Sequence, residues 1–161
     1  MFDKNDPVGS MAKIMGKLFC IMANEVIEQC GEEKGSKIVK DAVWKFGENR
    51  GNEIREKVLA AGEEINFENF EKYYDLPHNN GWDGESTINA DELFEVTKYC
   101  PYAAAWKELG LEKVGALYCE QDVAMLKAYM KNIKFDRPSI FTDGENASCK
   151  MSVKNLNSSN K

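Results

Sequence analysis

The sequence predicts an α+β domain, with N-terminal helices packed on an antiparallel sheet of about four strands and a pocket between helices and sheet. Three observations point there. Apolar residues recur at three- and four-residue steps from Met11 to Leu59, which is the spacing of helix faces. From Leu93 to Cys100 apolar and polar residues alternate instead, as on a half-buried strand. The 161 residues, 43% hydrophobic and 30% charged, contain no internal repeat and no linker, so one domain is expected over 1–154 with a polar tail over 155–161.

The first helix carries Met11, Ile14, Met15, Leu18, Met22 and Val26 on one stripe, suited to packing against core or partner. Ser10 is its expected N-cap and Gly31 its stop. A second helix follows with Ile38, Val39, Ala42, Val43, Phe46, Ile54, Val58 and Leu59, ending near Gly62. Inside it, Gly47 and Gly51 each cost about 1 kcal/mol against Ala. Close packing of another backbone is the preferred offset, and a ligand against the helix is the alternative. A short helical segment is expected over Phe67 to Tyr74, then turns from Asp75 to Glu85 with Asn80-Gly81 at a tight bend. The strand Leu93 to Cys100 runs into a helix opened by Pro101 and closed by Gly110. Leu111 to Met130 reads as one further helix. Strands are expected over Ile133 to Thr142 and Cys149 to Val153, joined by the turn Asp143 to Asn146.

Composition excludes several function classes. With 21 Lys and Arg against 27 Asp and Glu the net charge is −6, and no basic cluster offers a surface for nucleic acid. No apolar run approaches the ~20 residues that span a bilayer. The N-terminus lacks a basic segment followed by an apolar one, so no export signal and a cytoplasmic location are expected. Five scattered cysteines and one histidine, His78, form no zinc-ligand spacing, so reduced thiols and no metal are expected.

Three places could carry chemistry. Cys100 sits where a strand meets a Pro-initiated helix, a position at which backbone amides can acidify a thiol. Cys119 and Asp122 are three apart and share a helix face. Asp122 stands among Tyr118, Met125 and Leu126, so it is expected to be largely buried and paired, to Arg137 or to a tyrosine hydroxyl. A purely structural pair would lose roughly 1–3 kcal/mol in Asp122→Asn. Cys149 opens the last strand. Residue types alone leave these open. A free cysteine is usually a small buried hydrophobe, and Arg137 an ion-pair partner on an exposed face.

The last third carries an ordered series. It runs Tyr99-Cys100-Pro101-Tyr102, Lys107-Glu108-Leu109-Gly110, Leu117-Tyr118-Cys119-Glu120-Gln121-Asp122, Phe135-Asp136-Arg137-Pro138-Ser139, then Gly144-Glu145 and Cys149. The series resembles the L-2-amino-thiazoline-4-carboxylic acid hydrolase family, whose pattern is a Cys-Pro strand end, a Cys-Glu-x-Asp helix, an Arg-Thr strand and a Gly-Asp-x-Cys-Cys hairpin. The likeness covers residues 92 to 154 well and the N-terminal helices weakly, through Gly47 and Gly51. Pro138 replaces the family's Thr, Glu145 its Asp and Ser148 its first hairpin Cys, with one extra hairpin residue. The core thiol and acid positions are kept.

The resemblance implies a hydrolase that opens a small cyclic amidine such as 2-amino-thiazoline-4-carboxylate to a carbamoyl-cysteine, without a cofactor. Matched to that chemistry, Cys100 or Cys119 would supply a nucleophile unless water does, and Asp122 would shuttle the proton. Arg137, with Glu145 and Cys149, would bind the substrate. A second resemblance, to 4-vinyl-reductase-type sensor domains, implies the alternative of a non-catalytic small-molecule-binding module. The zinc places of some such domains fall on Arg137 and Ile140 here, and arginine cannot ligate zinc. A third reading is a purely structural dimerisation domain, a homodimer through the N-terminal helices with the methionine-rich first helix as interface.

Overall fold

In the computed structural model, which describes residues 1–144 and 147–157, two long helices form a hairpin at the N-terminus. They are α1 (Pro7–Cys30) and α2 (Glu32–Ala60), and Gly31, at φ 82°, makes the reversal between them in a conformation that favours glycine. The N-cap of α1 is Asp6, not Ser10. Its carboxylate accepts the Val8 amide at 2.8 Å and the Gly9 amide at 3.1 Å, and Pro7 takes the first helical position.

The period of α1 is the expected one, but its large stripe does not face the core. Ala12, Gly16, Cys20, Ala23 and Ile27 are buried, while Met11, Ile14, Met15, Leu18 and Met22 are exposed. The neighbouring helix supplies the bulk here. A side chain on Gly16 would start 3.1 Å from the Tyr102 ring, so only small residues fit on the inner side.

Next comes α3 (Phe67–Lys72), capped by the Asn66 side chain, then β1 (Asp83–Ile88) and β2 (Glu92–Tyr99). Strand β1 begins inside the stretch read as turns. With Ile88 its single large apolar residue and most of its length exposed, it lacks the alternation of a half-buried strand. Helix α4 (Pro101–Leu109) ends at Gly110 as expected. The single helix expected over 111–130 is broken into α5 (Glu112–Gly115), a tighter 3-10 turn (Ala116–Cys119) and α6 (Glu120–Tyr129). The break follows Gly115, which lies flat against the Trp106 ring.

Strands β3 (Ile133–Ser139) and β4 (Cys149–Asn155) complete an antiparallel sheet of order β1-β2-β4-β3. Helices cover one face only. Phe94, on the other, is exposed. The main core joins Ile54 and Val58 of α2, Phe67 and Phe70 of α3, Met125, Leu126 and Tyr129 of α6, and Leu93 and Val153 of the sheet. Among the described residues no helix is long and apolar enough to cross a membrane.

Candidate active site

Strand alternation turns Glu95 and Thr97 of β2, and Cys149 and Met151 of β4, toward the helices. The register sets Thr97 beside Cys149 and Glu95 beside Met151. Above them lies a cavity of about 1060 Å3 between the sheet and α2, α3, α4 and α6. Cys100 enters it from the β2–α4 joint, and Cys119 and Asp122 from the start of α6. An aromatic wall closes one side, with Tyr102 and Tyr118 stacked 4.6 Å apart. Thus Cys100, Cys119, Asp122 and Cys149 share one cavity. Glu145 lies outside the described residues.

Arg137 comes from the edge strand β3, where the register slips between Asp136 and Ser139. Pro138 sits in that bulge and has no amide to give to a ladder, so the strand re-aims its arginine there. Arg137 does not point to solvent, as an exposed ion-pair partner would. Its side chain is 11% exposed, and one terminal nitrogen donates to Asp122 Oδ2 at 2.8 Å and to the Cys119 carbonyl at 3.0 Å. Its Nε is buried and has no partner among the described residues. Asp122 keeps 30% of its side-chain surface accessible, and it lines the cavity.

Sequence reasoning missed the other half of this cluster. Gln121 donates from its amide nitrogen to Asp122 Oδ1 and accepts on its oxygen from Arg50 of α2. Arg50 in turn grips Asp75 with two donors, at 2.7 and 2.6 Å, and reaches the Tyr74 hydroxyl at 3.2 Å. A continuous string therefore runs Asp75–Arg50–Gln121–Asp122–Arg137 across three elements and a loop. The available signal was the pair of glycines flanking Arg50. A Cβ on Gly47 would lie 2.4 Å from the Gln121 carbonyl oxygen, and one on Gly51 2.1 Å from that of Met125. They let α2 and α6 touch backbone to backbone, which brings Arg50 within reach of Gln121.

Residues 11–152 match the family model described as L-2-amino-thiazoline-4-carboxylic acid hydrolase. The chain belongs to this family. No curated protein and no solved structure matches it.

The charges in this family member's cavity are set by burial. Asp122 is pushed up to about 6, first by burial, against the pull of Arg137, with Glu95 adding to the rise. Thr97 donates to Glu95 at 2.6 Å, which fixes that second carboxylate on the cavity wall. For Arg50, burial disfavours the charge but Asp75 and Tyr74 more than restore it. The thiols behave differently from the acidified cysteine expected at position 100. Burial pushes Cys100 up to about 11, although the Ala103 and Tyr102 amides and the Trp82 indole oppose it. Cys149 is likewise held at about 11, and Cys119 well above the ordinary thiol range, each chiefly by burial. All three rest as neutral thiols at pH 7. Among the described residues no group of three His, Cys, Asp or Glu is placed to hold a metal ion.

Proposed function

We propose that the cavity binds a small cyclic amidine carboxylate of the 2-amino-thiazoline-4-carboxylate type and hydrolyses it to a carbamoyl-cysteine. The observation that carries this reading is Asp122, a half-buried carboxyl held between Arg137 and Gln121 and poised to titrate at about 6. Such a group is ionised at pH 7 yet basic enough to take a proton from water. Arg137, paired with Asp122 beside the cavity though not among its lining residues, is the cation we assign to the substrate carboxylate.

In this mechanism a water adds to the ring carbon that lies between nitrogen and sulfur, and its proton goes to Asp122. The bond from that carbon to the ring nitrogen then breaks. Asp122 returns its proton to the departing nitrogen, the water's second proton follows as the water oxygen becomes the carbamoyl oxygen, and the nitrogen leaves as the free amine of S-carbamoyl-cysteine. Water is preferred to a cysteine as nucleophile because burial holds all three cavity thiols neutral. Cys100, Cys119 and Cys149 then pack against the substrate as soft, apolar contacts.

A non-catalytic binding module is the second reading. The cavity volume, about 1060 Å3, is at the upper end for small-molecule sites and exceeds the needs of a five-membered ring. The test is turnover of L-2-amino-thiazoline-4-carboxylate, followed by the appearance of carbamoyl-cysteine. Wild type should turn it over, Asp122→Asn should not, and Arg137→Gln should raise KM. Cys100→Ala and Cys119→Ala should keep most of kcat. Loss of turnover in Cys119→Ala alone would make that thiol the nucleophile. Saturable binding without turnover would favour the binding module.

A further inference from the structure

Helix α1 is apolar on two opposite sides. Small residues face the body of the protein, and the large ones face outward. Met11, Ile14, Leu18, Ile21 and Met22 are each 56–61% exposed, and Met15 beside them is nearly half exposed. A helix that is hydrophobic all round is ordinarily covered all round. We infer that a second copy of this chain covers it, α1 packing on α1 across a twofold axis.

Spacing, area and charge favour that occupant. Residues 11, 14, 18 and 21 follow the three-four alternation of a helix–helix seam, with Met15 and Met22 alongside. The next position in that series is Glu25, which ends the seam. One stripe meeting its own copy needs no other complementary surface. The six side chains leave roughly 600 Å2 of apolar surface open, at the top of the range for a monomer's largest patch. Phe46, exposed on α2 and bordering the same cavity mouth as Met15, extends it toward the ~800 Å2 per partner of a stable interface. The only charges between Met11 and Met22 are Lys13 and Lys17, and both turn aside to Glu108 of α4. The seam is thus neutral and lacks the basic belt with which a helix lies on an anionic lipid surface.

Sedimentation velocity of the full chain from about 1 to about 200 µM spans the relevant affinities. The expected result is a species of twice the 18.2 kDa chain mass. Leu18→Glu should convert it to monomer with unchanged helical circular dichroism, because Leu18 supports nothing in the core. Should that variant lose its fold, Leu18→Ala replaces it and should weaken association at least tenfold. A wild-type monomer at every concentration would overturn the inference. So would a dimer that neither substitution weakens, which would place the interface elsewhere. Co-sedimentation of a monomeric wild type with anionic phospholipid vesicles would also overturn it and assign the face to lipid.

Discussion

Asp122 is an acid whose proton is harder to remove in the folded chain than in the unfolded one. Its folded value of about 6 lies above the ordinary 3.8, so between about pH 4 and 6 the folded state holds a proton that the unfolded state has released. Stability contributed by this group is therefore lost as pH rises through that window, by roughly 3 kcal/mol in all. Asp122→Asn removes the slope, because an amide does not titrate. We expect its stability at pH 7 to stay within about 1 kcal/mol of wild type, without the 1–3 kcal/mol loss of a purely structural pair. Urea melts of both proteins at pH 4, 5, 6 and 7 read this directly. Turnover should show the matching limb, rising with pH around 6 as the base ionises. The thiols give a second residue-scale outcome. Cys30 is exposed, whereas Cys20 is buried and Cys100, Cys119 and Cys149 are partly covered and held neutral. A thiol reagent at pH 7 should label Cys30 first and the others only on unfolding, as followed by intact mass.

Among the elements, the contact of α2 with α6 is the most demanding. Ala at position 47 or 51 gains about 1 kcal/mol of helix propensity. Its Cβ, however, meets carbonyl oxygens at 2.4 and 2.1 Å, and a backbone cannot step aside as a side chain can. Gly47→Ala and Gly51→Ala should each destabilise by a net ~1–3 kcal/mol, and should also disturb the Arg50–Gln121 bond. A thermal melt with a turnover assay checks both. That two glycines on one helix meant backbone packing was legible in the sequence, as were α1, α2, α4, β2, β4 and the Asp122–Arg137 pair. Hydrophobic period reports that a helix has a face, not which neighbour is large. Hence the sequence left open whether the large stripe of α1 meets core or partner, and Tyr102 and Trp106 of α4, which already fill the inner space, turn it outward. Strand β1 was hidden because an exposed edge needs no alternation. Arg50 and Gln121 were hidden because a relay built across two helices leaves no spacing in either one.

For the whole molecule, the main core is built by α2, α3, α6 and the sheet, while α1 adds mostly small contacts through Cys20, Ala23 and their neighbours. A chain whose first helix turns its large residues outward gains stability from whatever covers them. With a second copy as the cover, mass action applies, and the melting temperature rises with protein concentration. Leu18→Glu should abolish that dependence. Scanning calorimetry at two concentrations tenfold apart is sufficient to see it. The cavity shares in the outcome, because Met15 and Phe46 stand at its mouth and on the apolar face alike.

The pairing of Arg137 with Asp122 has a thermodynamic consequence of its own. Arg137 is the largest influence holding the Asp122 proton affinity down. A ligand carboxylate that docks on this guanidinium shares its positive charge and weakens that hold, so Asp122 binds protons more tightly in the complex than in the free protein. Near neutral pH, ligand binding then draws a fraction of a proton from solution, and affinity increases as the medium is acidified toward pH 6. Titration calorimetry in two buffers of different ionisation heat measures that uptake as a difference in apparent enthalpy. In Asp122→Asn the two buffers should give the same heat.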